Sequence, residues 1–307
     1  MTRFDISRSR LEEILSLALS APTRILAATP LGESSRKTPW RIDVNVDGTP
    51  SSCVLRYGDG CSRNEAIALA GMETHPIPTP HLIHWDEHDE ILETPIFVSE
   101  FIHGEALLPA MKAKEAWAID LYVETACALQ AIRAEDLSGD AGQRLEVGES
   151  ARDVLDAACA AFPSRDVLIE EAYARLNATE PELPGTQFSN GDLWPENLIV
   201  RDRALVGVID WQHAGFSDPV FEFLLPFFLV PSLRGLGIEE RYCRRKGIDP
   251  AALQWYRGLE IFDSLRWVEK TGEPYEIHTA GSLRRDLAAW LDGATTSSED
   301  SANDAGV

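Results

Sequence analysis

The sequence predicts an α+β protein with a sheet-rich first part and a mainly helical second part. At 40–46 apolar and polar residues alternate, which is the periodicity of a half-buried strand, and the turn 47–51 leads to a returning strand at 53–58. Beyond residue 110 the apolar residues recur at helical spacing, first over 111–135. These two patterns together favour an α+β class over an all-helical or all-strand protein.

The remaining elements follow in order. A helix is expected over 7–20, and the S-x-x-E pattern from Ser62 to Glu65 predicts a capping box that opens the next helix. After a proline-rich loop, two apolar runs predict strands near 81–85 and 95–101. The second part is predicted to contain helices and two short strands, in the order 150–161, 166–177, strands 198–200 and 206–210, then helices 219–229, 237–246, 250–269 and 282–291.

The domain organisation follows from the change from strand periodicity to helical periodicity along the chain. A chain of 307 residues with 44% hydrophobic residues can bury a sizeable core. We expect an N-terminal lobe at 1–103, a C-terminal lobe at 104–292 and a disordered acidic tail at 293–307. The tail is small, polar and acidic, so it lacks the apolar residues that would offset its ordering entropy.

Charge and cysteine content exclude several classes of protein. The formal net charge of −22 argues against a nucleic-acid partner, because surfaces that track phosphates are basic. The five cysteines are scattered without C-x-x-C spacing, as in a reduced cytosolic protein. No signal-peptide core is visible, and the most apolar stretch, 220–230, is too short to cross a bilayer. We therefore expect a cytoplasmic protein without a membrane partner.

The candidate functional motif is N-G-D-L-W-P-E-N at 190–197, followed by a strand, a turn and V-I-D-W. In the D-x-x-x-x-N loop of kinases, the aspartate orients the acceptor hydroxyl and the asparagine oxygen binds Mg²⁺. Asp192 and Asn197 fit these two roles, and Asp210, at the end of an apolar strand, supplies a second oxygen ligand for the metal. The pattern therefore predicts phosphoryl transfer, with Asp192 as catalytic base and Asn197 and Asp210 as metal ligands.

The longer pattern, which ends in D-P at Asp218, is more specific than the bare loop. It resembles the signature of the aminoglycoside phosphotransferase and choline kinase-like family, H-G-D-x-x-x-x-N followed by I-D-[WF] and D-P. The resemblance is strongest over 188–223 and extends over about 30–290. It implies a bilobal protein-kinase-like fold, ATP and Mg²⁺ as cofactors, and a structural hydrogen-bonding role for Asp218. It also implies that the backbone from Glu100 to Ile102, in F-V-S-E-F-I-H-G-E, meets the adenine.

The same resemblance implies a phosphate clamp. The kinase lysine on the third strand corresponds to Arg56, and its glutamate partner on the next helix to Glu65. Arginine can bind phosphate oxygens in bidentate fashion, although its planar fork differs from an ammonium group. Two alternatives remain, because Glu65 also completes the capping box and Arg56 also fits a solvated strand position. Ser34 and Ser35 are candidate donors to the nucleotide phosphates, and Asn190 replaces the motif histidine.

The resemblance further implies that the acceptor pocket is built from helices of the C-terminal region. Glu260 and Asp263 are candidates for binding a cationic acceptor, and Trp194 and Trp267 are further candidates for contacting it. The alternative for the aromatic residues around 255–267 is a place in the hydrophobic core.

We therefore expect an enzyme that moves the γ-phosphoryl group of ATP to a hydroxyl of a small molecule, in a Mg²⁺-dependent reaction. The acceptor would be an aminoglycoside-like antibiotic, an amino alcohol, a sugar or a related metabolite. The missing A-P-E segment after Asp210 favours a small molecule over a protein substrate. The alternative is a pseudokinase-type nucleotide-binding or scaffold protein without turnover, which Arg56 and Asn190 suggest. A protein kinase is a third possibility.

Overall fold

The structure is a computed structural model that describes residues 6–32, 39–182 and 184–293. Ser34, Ser35 and the predicted tail beyond Gly293 lie outside the described residues. The described residues fall into two compact units. The first unit lies within Met1–Leu107, Ile132–Glu146 and Phe188–Gly215, and the second within Leu108–Ala131, Val147–Gln187 and Phe216–Val307. The predicted lobe boundaries at residues 103 and 292 stay predictions.

The strands of the described residues are short beyond the first hundred residues. They are β1 (Thr23–Pro30), β2 (Trp40–Val46), β3 (Thr49–Tyr57), β4 (Leu82–Asp89), β5 (Thr94–Glu100), β6 (Glu105–Ala106), β7 (Glu146–Val147), β8 (Gln187–Ser189), β9 (Leu198–Arg201), β10 (Ala204–Val208) and β11 (Gly215–Ser217).

The helices of the described residues mostly follow β6. They are α1 (Arg8–Ala18), α2 (Arg63–Met72), α3 (Leu108–Lys112), α4 (Ala116–Leu129), α5 (Ala141–Arg144), α6 (Ala151–Ala161), α7 (Val167–Ala178), α8 (Pro219–Leu229), α9 (Ile238–Lys246), α10 (Pro250–Thr271) and α11 (Ala280–Leu291). The sheet-rich beginning and the helical remainder confirm the predicted α+β class.

The first unit is built on a five-stranded antiparallel sheet with the order β1-β2-β3-β5-β4. The predicted hairpin is β2–β3, whose register pairs Val46 with Thr49. Helix α1 contributes Leu11, Ile14 and Leu15 to the hydrophobic core of this sheet. The strands contribute the remaining buried core residues, Ile25, Trp40, Ile42, Val44, Cys53, Leu55, Ile96 and Val98.

The predicted strands of the motif form a second hairpin in the first unit. Strands β9 and β10 pair in antiparallel fashion, and β9 also pairs with β6. The two turn residues, Asp202 and Arg203, both have positive φ angles (52° and 63°). That is the conformation of a two-residue type I′ turn, whose twist matches that of the strands it joins. The hairpin therefore fixes the positions of the residues just before β9 and just after β10.

The second unit is mainly helical. Its core contains an aromatic cluster in which the rings of Phe223 and Tyr242 stack with centroids 3.7 Å apart, and the Tyr242 hydroxyl donates to Gln130 Oε1 at 2.8 Å. The single helical run predicted at 111–135 is wrong, because Lys114 has a φ of 60° and separates α3 from α4. Within the described ranges, every helix is too short or too polar to cross a membrane.

Candidate active site

The loop between β8 and β9 carries the first candidate catalytic residue, Asp192. Gly191 has a φ of 76°, and a Cβ atom there would collide with the backbone carbonyl of His213. Only glycine fits this close approach, so Gly191 lets the loop lie directly against the chain that follows β10. The Asp192 carbonyl accepts a hydrogen bond from the Trp194 N–H at 2.7 Å, which tightens the turn.

Asn197 is bound to Asp192 through one end of its amide. Its Nδ2 donates to the Asp192 carbonyl and to Asp192 Oδ2, both at 2.9 Å. Because the nitrogen is engaged there, Oδ1 of Asn197 is the end left to act as a ligand. The Ile209 N–H donates to the Asn197 carbonyl at 2.9 Å, and Asp210 is the next residue. This hydrogen bond lies just beyond the open end of the β9–β10 hairpin and brings Asn197 next to Asp210.

The carboxyl group of Asp192 is only partly accessible. Burial raises its pKa to about 6, the hydrogen bond from Asn197 lowers it, and the nearby charge of Asp210 raises it. A pKa of about 6 leaves Asp192 mostly ionised at neutral pH while placing it near the range suited to proton transfer.

Asp210 follows β10 with a φ of 61°, a left-handed conformation that is uncommon outside glycine. Its Oδ1 accepts a hydrogen bond from Gln212 Nε2 at 3.0 Å and lies 3.7 Å from Nη2 of Arg56. Asn190 is fully buried, and its Nδ2 donates to the carbonyls of both Asp192 (3.0 Å) and Asp210 (3.4 Å). Asn190, which stands at the position of the motif histidine, therefore links the backbone of Asp192 to that of Asp210.

Arg56 on β3 and Glu65 on α2 form the predicted ion pair, with Nε and Oε2 3.4 Å apart. Both residues are buried (8% and 4% exposed), and the two atoms are close enough for an ion pair but not aligned for a hydrogen bond. Burial raises the pKa of Glu65 to about 7, with Arg56 lowering it and Asp210 raising it. Arg56 is therefore shared between Glu65 and Asp210, and its prediction as a solvated strand residue does not fit this burial.

Ser62 caps helix α2. Its Oγ accepts a hydrogen bond from the Glu65 N–H at 3.4 Å, so the backbone of Glu65 is capped while its side chain faces Arg56. The same hydroxyl donates to the Gln212 carbonyl at 3.0 Å. The start of α2 is thereby fastened to the segment that follows Asp210.

The predicted adenine-binding segment, Glu100 to Ile102, begins at the last residue of β5. The Glu100 N–H donates to the His81 carbonyl at 2.9 Å. Ile102 lies against β10, since a Cβ atom added to Gly207 would be 3.0 Å from two of its side-chain atoms. Both residues belong to the first unit, together with Arg56 and Asp210.

The candidate acceptor residues differ in environment. Trp194 is half-buried in the Asp192 loop of the first unit, whereas Glu260, Asp263 and Trp267 lie on α10 of the second unit. Asp263 pairs with Arg266 at 2.7 Å. Glu260 is buried and accepts a hydrogen bond at 3.3 Å from Ser264, and burial raises its pKa to about 8. Their role in acceptor binding stays a prediction.

Asp218 caps α8 in the second unit. Its Oδ1 accepts hydrogen bonds from the N–H groups of Val220 (2.9 Å) and Phe221 (3.1 Å), and its Oδ2 accepts one from the Tyr256 hydroxyl at 2.9 Å. These contacts confirm the structural role predicted for this aspartate.

The donor set near Asp210 fits a magnesium ion. Mg²⁺ prefers oxygen ligands and binds proteins through one or two carboxylates. Hydrogen bonding at Nδ2 of Asn197 and at Oδ1 of Asp210 leaves one oxygen of each side chain without a hydrogen-bond donor among the described residues. The Asn197 oxygen is neutral and the Asp210 carboxylate carries one negative charge. A divalent cation bound to both therefore keeps positive charge with which to bind phosphates.

Gln212 and Ser62 take part in this network, but neither is among the site residues predicted from the sequence. Gln212 lies two residues after an isolated aspartate at a strand end, which is a signal available in the sequence. Ser62 was identified only as a capping residue, because its partner is 150 positions away.

The fold is shared with solved phosphotransferases of low sequence identity. A Ralstonia eutropha JMP134 protein provisionally assigned as an aminoglycoside phosphotransferase gives a TM-score of 0.68 at 12% identity, over 93% of this chain and 97% of that chain. A thermostable mutant of aminoglycoside phosphotransferase APH(4)-Ia, in ternary complex with AMP-PNP and hygromycin B, gives 0.65 at 17% identity over 94% and 99%. Macrolide 2′-phosphotransferase MphH from Brachybacterium faecium gives 0.54 at 17% over 92% and 98%.

These likenesses confirm the kinase-like fold predicted from the motif. No curated protein matches the chain in a sequence search. The model of the phosphotransferase enzyme family matches residues 61–259, which is more than half of the chain and includes Glu65, Asp192, Asn197 and Asp210. The chain therefore belongs to the phosphotransferase enzyme family.

Proposed function

We propose that this phosphotransferase moves the γ-phosphoryl group of ATP to a hydroxyl of a small molecule, with Mg²⁺ bound at Asn197 and Asp210. The observation that carries the proposal is the hydrogen-bonded cluster of Asp192, Asn197 and Asp210, joined through Asn190. ATP as donor supports the cytoplasmic location expected from the sequence.

Asp192 is the proton acceptor in this proposal. Its ionised carboxylate accepts a hydrogen bond from the acceptor O–H and holds the oxygen in line with the γ-phosphorus. As the new O–P bond forms, the bond between the γ-phosphorus and the β,γ-bridging oxygen breaks, and ADP leaves. The hydroxyl proton passes to Asp192, whose pKa of about 6 suits both its acceptance and its later release to water.

Arg56 is the phosphate-binding cation of the first unit. Its guanidinium lies 3.4 Å from Glu65 and 3.7 Å from Asp210, so it stands beside the predicted metal ligand. Glu65 orients the guanidinium and balances part of its charge, as the glutamate on the helix after the third strand does in kinases. Asn197 and Asp210 would hold the Mg²⁺, which would supply positive charge against the charge that develops on the phosphoryl group during transfer.

The acceptor is proposed to carry at least one amine. The net charge of −22 favours a cationic acceptor electrostatically. One solved relative in fold binds hygromycin B and another is named a macrolide phosphotransferase. Aminoglycosides, macrolides and amino alcohols therefore come first among the candidates, and neutral sugars come last.

The test is a panel of such hydroxyl compounds, scored by ADP release with and without Mg²⁺. We expect at least one compound to raise ADP release above the acceptor-free rate, and Asp192→Asn to abolish that increase. Binding of ATP·Mg²⁺ without acceptor-dependent ADP release across the panel would support the pseudokinase alternative instead. Phosphorylation of the protein itself, rather than of the compound, would indicate a protein kinase.

A further inference from the structure

A neutral amide holds the carboxylate of Asp210. Gln212 Nε2 donates to Asp210 Oδ1 at 3.0 Å, and Asp210 itself has a left-handed φ of 61°. The Asp210 side chain is 34% exposed, so solvent alone would leave its carboxylate several rotamers. The hydrogen bond from Gln212 selects one of them.

Arg56 cannot perform the same task without opposing a metal ion. Its Nη2 lies 3.7 Å from Asp210 Oδ1, beyond hydrogen-bonding distance, and it carries a full positive charge. A cation that binds Asp210 is repelled by a guanidinium at that distance. The amide of Gln212 fixes the carboxylate without adding a further positive charge beside the one that Arg56 already places there.

Gln212 is itself held in place from the other side. Its backbone carbonyl accepts a hydrogen bond at 3.0 Å from the hydroxyl of Ser62, the residue that caps α2. The same helix carries Glu65, which faces Arg56 across 3.4 Å. The backbone of Gln212 and the guanidinium of Arg56 are therefore both in contact with α2 or its capping residue.

We propose that Gln212 is a positioning residue that fixes the Asp210 carboxylate for binding a divalent cation. Asp210 Oδ1 accepts the hydrogen bond from Gln212, while Oδ2 receives no hydrogen bond from the residues that the structure describes. Oδ2 is therefore the oxygen that would bind the metal. The proposal rests on the proposed function, in which Asp210 is a metal ligand. It adds that this role depends on an amide donor two residues further along the chain.

The test is Gln212→Met, which keeps the length of the side chain and removes the donor. Two titrations with Mg²⁺ are made, one following the thermal shift given by ATP and one following ADP release. The half-saturating Mg²⁺ concentration should rise about 10–100-fold in both, the usual scale for groups that orient a metal ligand. The KM for the acceptor and the melting temperature without Mg²⁺ should stay unchanged.

Gln143→Met is the matched control, because Gln143 is exposed on α5 in the same unit. Gln212→Ala is the second variant, should methionine disturb the fold. In an Asp210→Asn background, Gln212→Met should add nothing further to the Mg²⁺ requirement, since the carboxylate it orients is gone. Additive effects in that background would mean that Gln212 acts elsewhere.

The outcomes separate this proposal from the function on which it rests. If wild type shows the Mg²⁺-dependent thermal shift and Gln212→Met keeps the wild-type requirement, the positioning role is wrong and the metal site stands. If wild type shows neither a Mg²⁺-dependent shift nor ADP release, the proposed function fails, and the positioning role fails with it.

Discussion

At the scale of single residues, the structure distinguishes two aspartates that one motif places close together. Asp192→Asn keeps the shape of the side chain and its contact with Asn197 but removes the proton acceptor. We expect ATP·Mg²⁺ affinity to be retained while turnover falls by about 10²–10⁴, the usual scale for positioned acid–base catalysis. Nucleotide titration and ADP-release rates with a working acceptor measure the two effects separately.

Asp210→Ala should behave differently, since it removes a metal ligand. We expect the affinity for ATP·Mg²⁺ and turnover to fall together, while affinity for ATP without metal changes little. Equal ATP·Mg²⁺ affinity in wild type and Asp210→Ala would show that the metal binds elsewhere.

Arg56 is the second residue-scale case. Arg56→Ala should raise the KM for ATP and cost about 3–5 kcal/mol of unfolding free energy, the usual result of removing one partner of a buried ion pair. Arg56→Lys should recover part of both losses, because an ammonium keeps the charge but not the planar fork. Arg63→Ala, at an exposed arginine of α2, is the control. An unchanged KM in Arg56→Ala would remove Arg56 from the phosphate site.

At the scale of secondary-structure elements, caps decide how α8 begins. Asp218→Ala removes two backbone hydrogen bonds at the start of α8 and leaves the buried Tyr256 hydroxyl without its partner. We expect a loss of about 2–4 kcal/mol, from a cap worth about 1 and an unpaired buried group costing about 1–3. Urea unfolding of wild type and Asp218→Ala measures this loss of unfolding free energy.

The matched control is Asp249→Ala, which removes an exposed cap from α10 and should cost only about 1 kcal/mol. Equal losses in both variants would mean that the contact with Tyr256 contributes nothing.

Strands and helices could be predicted where the apolar periodicity of the sequence matched the burial of the side chains. Strand β2 alternates in sequence and in exposure, so it was predicted. Strand β1 was missed, because after Ile25 all of its residues are exposed and no alternation marks it. The break at Lys114 was also missed, since a lysine gives no local sign of a left-handed backbone.

The motif residues were predictable for a related reason. Asp192, Asn197 and Asp210 are recognised by chemistry and spacing along one short stretch of chain. The contacts of Gln212 with Ser62 and of Arg56 with Asp210 join distant parts of the sequence. A single sequence carries no signal for such pairs, although Arg56 and Glu65 were found through the resemblance.

At the scale of the whole molecule, stability should depend on pH through Glu260. Burial raises its pKa to about 8 from an ordinary value of 4.5, with Asp263 adding to the rise and Ser264 opposing it. The folded state therefore binds the proton more tightly than the unfolded state. The contribution of Glu260 to stability is greatest below about pH 4.5, falls as the pH rises to about 8, and is constant above that.

Glu260→Gln imitates the protonated form and should remove this part of the pH dependence. We expect the variant to be more stable than wild type at pH 8–9 and equally stable near pH 4.5, as measured by urea unfolding across the pH range. Glu273→Gln, at an exposed position after α10, should track wild type throughout. Parallel curves for wild type and Glu260→Gln would show that Glu260 titrates normally.

The bridge that Asn190 makes to Asp192 and Asp210 has a consequence for how the site assembles as the chain folds. The partners of this bridge are 2 and 20 positions away, whereas Ser62 meets Gln212 across 150 positions. The chain entropy lost in closing a loop grows with its length, so the contacts around Asn190 require the smaller loss. We therefore expect the contacts around Asn190 to form early in folding, and the contacts of Ser62 and Arg56 with this segment to form later.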